Sequence, residues 1–262
     1  MKIAALDMDG TVYVDEEITP ACRAAIAAWR AAGNLVVSAT GKSIANARGT
    51  LEPFGVELDY HVLYNGTVIT NGDYSIIQEE HLPRGVVRNI VQHFSGRQGL
   101  NIYATTLTGS DALVWNGLAS RESSMVPNVQ SADLESVGDV VLMSLWIPDD
   151  EALRQEVDAW VSSNFDVESS FNVEFYDIMP PGHNKGEGLT RLIGYLGIEG
   201  SELYTFGDSF NDVSMHAIAT ESFSFPEAAI SDRVTHVVPD VAAGLRQLLK
   251  LGIFRGWRRG LQ

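Results

Sequence analysis

At both ends of the chain, short uninterrupted apolar runs alternate with stretches of helical periodicity. Ile3-Ala4-Ala5-Leu6, Leu35-Val36-Val37-Ser38-Ala39 and Leu203-Tyr204-Thr205-Phe206 show no alternating polar face. Such runs read as strands buried on both sides, as interior strands of a parallel sheet are. Between the first two, Thr19-Pro20 offers an N-cap with proline in the first turn, Cys22, Ile26 and Trp29 recur at helical spacing, and Gly33 ends the helix. Strand, helix, strand is the unit of a parallel sheet. A further helix opens at Lys185-Gly186, with Leu189, Leu192, Ile193 and Leu196 on one stripe, and residues 223–251 add short strands and helices.

The rhythm breaks between Leu82-Pro83 and Pro180-Pro181-Gly182. There the pattern predicts a helix near 84–94, strands near 100–106, 111–115 and 140–147, and a helix opened by Pro148-Asp149-Asp150 that carries Leu153, Val157, Trp160 and Val161. Strands near 165–168 and 172–178 close the segment. The expectation is an α/β fold: a Rossmann-like parallel core of residues 1–82 and 180–262, with an inserted α+β domain over 83–179 between proline-containing hinges. Leu63 to Ile69 reads as a hairpin about Asn65-Gly66.

Composition narrows the function classes. At 45% apolar and 20% charged residues the chain is globular. Lys plus Arg number 18 against 34 Asp plus Glu, a net charge of −16, which argues against nucleic acid or an anionic membrane as a partner. Cys22 is the only cysteine, so zinc-finger and thioredoxin readings fall away. No apolar run reaches about 18 residues, and a strand starting at residue 3 leaves no room for a signal peptide, so the expected location is cytoplasmic. The basic tail Arg255, Trp257, Arg258 and Arg259 reads as a frayed, solvated end. Oligomeric state stays open.

The candidate chemistry lies where the buried strands stop. Asp7-Met8-Asp9-Gly10-Thr11 follows the first, Thr40-Gly41-Lys42-Ser43 the second, and Gly207-Asp208-Ser209-Phe210-Asn211-Asp212 the third. Carboxyl ends of parallel strands share one sheet edge, and ligands bind there. Gly41-Lys42-Ser43 is not a P-loop, because that motif needs Gly five positions before Gly41 and position 36 is Val. What remains is the Thr40 hydroxyl and the N–H groups of a helix start, which suit a phosphate oxygen. Lys185 adds a cation at a helix start, where the helix dipole disfavours one. Asp7, Asp9, Asp208 and Asp212 in one cleft repel each other unless a divalent cation binds, and all-oxygen ligands select Mg²⁺.

In order, Asp7 to Thr11, Thr40-Gly41, Lys185-Gly186 and Gly207 to Asp212 resemble the four motifs of the haloacid dehalogenase superfamily. Asn65-Gly66 and the large insertion between the second and third motifs resemble its Cof-type branch, whose cap is a mixed α/β domain. The resemblance implies a Mg²⁺-dependent phosphatase working through an aspartyl-phosphate. It implies Asp7 as nucleophile, Asp9 as general acid and then base, and Thr40, Gly41, Lys185 and Asn211 around the phosphoryl group. Mg²⁺ would be held by Asp7, the Asp9 backbone carbonyl, Asp208 and Asp212. The implied partner is a small phosphorylated metabolite, such as a sugar phosphate or a phosphoglycolate-like acid. Lys42 stands where Arg is commoner, Asp177-Ile178 where Glu-Ile is usual, and Phe225-Pro226-Glu227-Ala228 where Gly-Asn-Ala is expected. His183 and Asn184, beside Lys185, are candidates for substrate contact or for exposed hinge residues. A phosphotransferase or mutase would use the same residues. Dehalogenation needs neither the metal nor Asp9, and a receiver-type phospho-acceptor needs no inserted domain.

Overall fold

The structure, a computed structural model, describes residues 1–107, 112–119 and 130–259. From the first residues, β1 (Lys2–Leu6), α1 (Pro20–Ala31), β2 (Leu35–Ala39) and α2 (Ile44–Leu51) lead to β3 (Tyr60–Leu63), β4 (Val68–Asn71) and β5 (Ile76–Glu79). Next come α3 (Arg84–Phe94), β6 (Asn101–Thr106), β7 (Ala112–Asn116), β8 (Gln130–Ser131), β9 (Val140–Trp146), α4 (Glu151–Asn164), β10 (Glu168–Asn172) and β11 (Phe175–Met179). The chain continues through α5 (Lys185–Leu196), β12 (Glu202–Phe206), α6 (Val213–Ala217), β13 (Glu221–Ser224), β14 (His236–Val237) and α7 (Val241–Arg259).

These strands form two sheets. The first has eight, in the order β14-β13-β12-β1-β2-β3-β4-β5. Neighbours from β14 to β3 run parallel, and β4 and β5 extend the sheet antiparallel. Successive side chains of a strand point to opposite faces, and β1 shows both faces covered. Ala4 and Leu6 pack with Ile26 and Trp29 of α1 and Leu245 of α7, whereas Ile3 and Ala5 pack with Leu189 and Leu192 of α5. Helix α1 starts as its sequence directs, Thr19 Oγ1 accepting from the Cys22 N–H at 3.2 Å, and Trp29 Nε1 donates to the Leu35 carbonyl at 2.9 Å.

The second sheet has six strands, in the order β10-β11-β9-β6-β7-β8. Only the β7–β8 pair in it is parallel. Helices α3 and α4 cover one face, with Ile90, Phe94, Leu153 and Val157 against Ile102, Met143, Leu145 and Ile178. Tyr103, Trp146 and Phe175 form a separate cluster.

Several local expectations change. The hairpin about Asn65-Gly66 closes not on two residues but on four, since Leu63 pairs with Val68. Tyr64 and Asn65 both take positive φ, 50° and 52°, and the Asn65 side chain turns into a buried hydrogen-bond network. Of residues 165–168 only Glu168 lies in a strand: α4 runs to Asn164, and the Phe165 N–H donates to the Val161 carbonyl to end it. Strand β10 therefore starts at Glu168, and the turn falls at Val173-Glu174. Strand β5 gave no pattern because Ile76 to Glu79 is mostly exposed at a sheet edge. Helix α7 continues through the basic tail where fraying was expected, and the side chains of that tail lie outside the described set. Among the described residues no helix is long and apolar enough to cross a membrane.

Candidate active site

The carboxyl ends of β1, β2 and β12 bring the candidate groups together. Asp7 continues β1, and its N–H donates to the Phe206 carbonyl at 2.9 Å, which ties it to the end of β12. The loop after β12 then approaches the loop after β1. At Gly10 (φ +73°) a Cβ would lie 2.6 Å from Asp208 Oδ2, so only glycine lets Asp208 come this close. Thr11 Oγ1 donates to Asp208 Oδ1 at 2.8 Å and fixes its orientation.

Lys185, the first residue of α5, is buried between two carboxylates. Its Nζ donates to Asp7 Oδ1 at 2.8 Å and to Asp212 Oδ1 at 2.6 Å. The other Asp212 oxygen accepts from the backbone N–H groups of Asp208 (2.9 Å) and Ser209 (3.0 Å). Asp212 thus anchors both the lysine and the loop that presents Asp208. Burial works to discharge Lys185, but Asp212 and Asp7 outweigh it and hold the ammonium above its ordinary range. Burial also pushes Asp7 well above the usual carboxylate range, with Asp212 adding to the rise and Lys185 opposing it. Asp208 is raised too, chiefly by burial.

Asp7, Asp208 and Asp212 each offer an oxygen within 4.8 Å of the others. Ionised, they exceed the single charge of Lys185 by two units, three minus one. The donor set is all oxygen and short of positive charge by the amount a divalent cation carries, so these residues fit Mg²⁺.

Asp9 points elsewhere. Its carboxylate pairs with Lys42 Nζ at 2.8 Å and is not part of the acidic cluster. A cavity of about 290 Å³ connects the two sites: Asp7, Asp9, Thr40, Gly41, Asp208 and Asn211 line it from the loops of the first sheet. Its opposite wall, with Tyr103, Ser144, Phe175 and Asp177, belongs to the second sheet. The Lys42 N–H donates to Thr40 Oγ1 at 3.2 Å, which leaves the hydroxyl hydrogen of Thr40 to be given to a ligand.

Along the cavity wall a buried network crosses between the sheets. Asn211 Nδ2 donates to Asn65 Oδ1 (3.2 Å), Asn65 Nδ2 to Asp177 Oδ2 (2.8 Å), and Ser144 Oγ to Asp177 Oδ1 (2.6 Å). His183 and Asn184 do not line the cavity. Asn184 caps α5 by accepting from the Glu187 N–H at 2.9 Å, and donates to Glu168 Oε1 at 3.0 Å. Sequence reasoning missed the roles of Thr11, Asn65 and Ser144. Asn65-Gly66 was a visible signal, read as a turn; Ser144 carries none, being one hydroxyl in a buried strand.

The chain matches the family model of haloacid dehalogenase-like hydrolases over residues 4–238. It is 26% identical, over an alignment of 259 residues, to 5-amino-6-(5-phospho-D-ribitylamino)uracil phosphatase YwtE of Bacillus subtilis (strain 168), with 87% of this chain and 88% of that protein covered. Among solved structures, a sugar phosphatase of subclass IIB of the haloacid dehalogenase superfamily aligns with a TM-score of 0.79 at 20% identity, over 95% of this chain and 99% of that one. A haloacid dehalogenase-like hydrolase from B. subtilis aligns with a TM-score of 0.81 at 19% identity, over 95% and 100%. At these identities the structural likeness speaks to fold, and it extends through the second sheet. With a family model matched from β1 to the end of the parallel sheet, this chain belongs to the haloacid dehalogenase-like hydrolases.

Proposed function

We propose that the protein is a Mg²⁺-dependent phosphatase that hydrolyses a small phosphomonoester through a phosphorylated Asp7. The observation that carries the reading is the meeting of Asp7, Asp208, Asp212 and Lys185 at the base of a cavity that also holds Asp9 and Thr40. The phosphatase activity named for the B. subtilis relative supports it.

An Asp7 oxygen attacks phosphorus, and the bond from phosphorus to the leaving alcohol breaks as Asp9 gives that oxygen a proton. Asp9 then takes a proton from water, the water oxygen attacks phosphorus, and the bond to Asp7 breaks. Inorganic phosphate leaves, Asp7 is again a carboxylate, and Asp9 is again protonated. Thr40 donates its hydroxyl to a phosphoryl oxygen, and the N–H groups before α2 face the same group. Lys185 opposes the protonation that burial favours at Asp7 and holds its carboxylate in place. Asp7, Asp208 and the Asp9 carbonyl would hold Mg²⁺ with Asp212 behind them, and the ion supplies Lewis acidity toward the phosphoryl oxygens. Residues 83–179 serve as a cap over a core of 1–82 and 180–262, excluding water and selecting the leaving group. A cavity of about 290 Å³ suits a small metabolite such as a sugar phosphate.

The test is phosphate release from a panel of metabolite phosphates. Release is expected with Mg²⁺, to stop with EDTA, and to be lost in Asp7→Asn while circular dichroism stays native. Turnover indifferent to EDTA and to Asp7→Asn would end the proposal.

A further inference from the structure

Val173 occupies a position whose backbone conformation disfavours a β-branched residue. It opens the two-residue turn that joins Asn172 to its partner Phe175, and its φ is +55°. In that region a branched Cβ crowds the backbone, which is why Gly, Asn and Asp dominate such turns. The turn is held firmly as it is. The Ile147 N–H donates to the Glu174 carbonyl at 2.8 Å, Trp146 Nε1 donates to Glu174 Oε2 at 2.9 Å, and the Trp146 ring stacks near Phe175 at 6.2 Å.

Solvation disfavours the side chain as well. Val173 is 68% exposed, yet it lines the cavity that contains Asp7 and Asp9. The other apolar groups of that wall, Tyr103 (3%), Leu142 (5%) and Phe175 (5%), are already covered by the protein. Val173 alone among these four has apolar area left to bury. Neither backbone geometry nor exposure accounts for valine here, whereas contact with a bound molecule does, because strained backbone concentrates at ligand sites.

We infer that Val173 is a specificity-determining residue. Resting on the hydrolysis proposed above, its isopropyl group covers a C–H or ring face of the leaving group, so the preferred substrate carries such a face next to its phosphorylated oxygen. A short acyclic polyol has little surface to offer it.

Val173→Gly and Val173→Asn both accept positive φ and remove the apolar branch. Initial rates of phosphate release would be measured with glucose 6-phosphate and phenyl phosphate, which bear rings, and with glycerol 3-phosphate, which does not. Taking the ratio of variant to unaltered protein for each substrate cancels intrinsic leaving-group reactivity. Both variants should melt about 2–4 °C higher through relief of strain. Their kcat/KM should fall about tenfold for the ring-bearing substrates and stay within about twofold for glycerol 3-phosphate. Equal ratios for all three substrates would overturn the role of Val173 while leaving the hydrolysis standing. Failure of the unaltered protein to release phosphate from any substrate would refute the hydrolysis itself, and the role with it.

Discussion

Lys185 keeps its charge in a place where burial alone would remove it, because Asp7 and Asp212 accept from it at 2.8 and 2.6 Å. Lys185→Met would strand both carboxylates in a poorly solvated site. Breaking a buried pair in this way costs about 3–5 kcal/mol, and urea denaturation should show a loss of that order. Adding Asp7→Asn to Lys185→Met should restore part of it, since one stranded charge disappears. A loss below about 1 kcal/mol, the scale of an exposed pair, would contradict the burial argument. The raised Asp7 and Asp208 set a pH dependence with the opposite sign to a normal salt bridge. Between the ordinary value of 3.8 and their raised values, the folded protein holds protons that the unfolded chain has lost. Stability without metal therefore falls as pH climbs through that window. His61 and His216, lowered to about 4 by burial, act the other way: they weaken the fold as pH falls from 6.5 toward 4. The quantity to measure is the difference in melting temperature between the unaltered protein and Asp7→Asn in EDTA, which should grow in favour of Asp7→Asn as pH rises above the ordinary carboxylate value of 3.8 and shrink when Mg²⁺ is added. A difference independent of pH would mean that Asp7 ionises in the fold as easily as in water.

Among the elements, β9 and β11 meet the first sheet through the apolar side chains of Val141, Leu142 and Met179 and through the Asp177 carboxylate. Asp177 accepts from both Asn65 and Ser144, and Asn65 in turn accepts from Asn211 in the loop after β12. Asp177→Ala would leave two buried donors without this acceptor, at a cost of about 1–3 kcal/mol. A double-mutant cycle with Asn65→Ala, read by denaturation, should give a coupling of about 0.5–3 kcal/mol, whereas additive costs would show that the bond holds nothing. The same elements explain what could be read in advance. Strands β1, β2 and β12 announced themselves because both faces are covered by helices, so every position after Lys2 and Glu202 is apolar or small. Their carboxyl ends then placed Asp7, Thr40 and Asp208 by topology alone. Lys185 was legible as a cation at the wrong end of a helix. Ser144 and Val173 were not legible, nor was the buried bonding of Asn65, because each depends on which strand lies across from it, and neither helical nor strand periodicity records that. The start of β10 was misjudged for a related reason: Phe165 and Val167 are apolar through packing against the second core, not through pairing in a strand.

For the molecule as a whole, the net charge of −16 sets the approach of an anionic substrate against the site that binds it. Lys185 is neutralised by Asp7 and Asp212, and Lys42 is paired with Asp9, so neither projects a long-range attraction. Repulsion should therefore govern the encounter at low salt, where the screening length is about 30 Å, and fade near physiological ionic strength, where it is about 8 Å. KM for a phosphomonoester is expected to fall as NaCl rises from about 0.01 to 0.15 M, with kcat unchanged, because salt alters the approach and not the buried chemistry. The free Mg²⁺ concentration must be held saturating, since salt also weakens attraction of the cation to the acidic cluster. A KM that climbs over the same range would show that local cations at the cavity mouth outweigh the surplus of carboxylates. In that case Lys42→Met should abolish the climb, which would assign the attraction to the lysine facing Asp9 and not to the field of the whole surface.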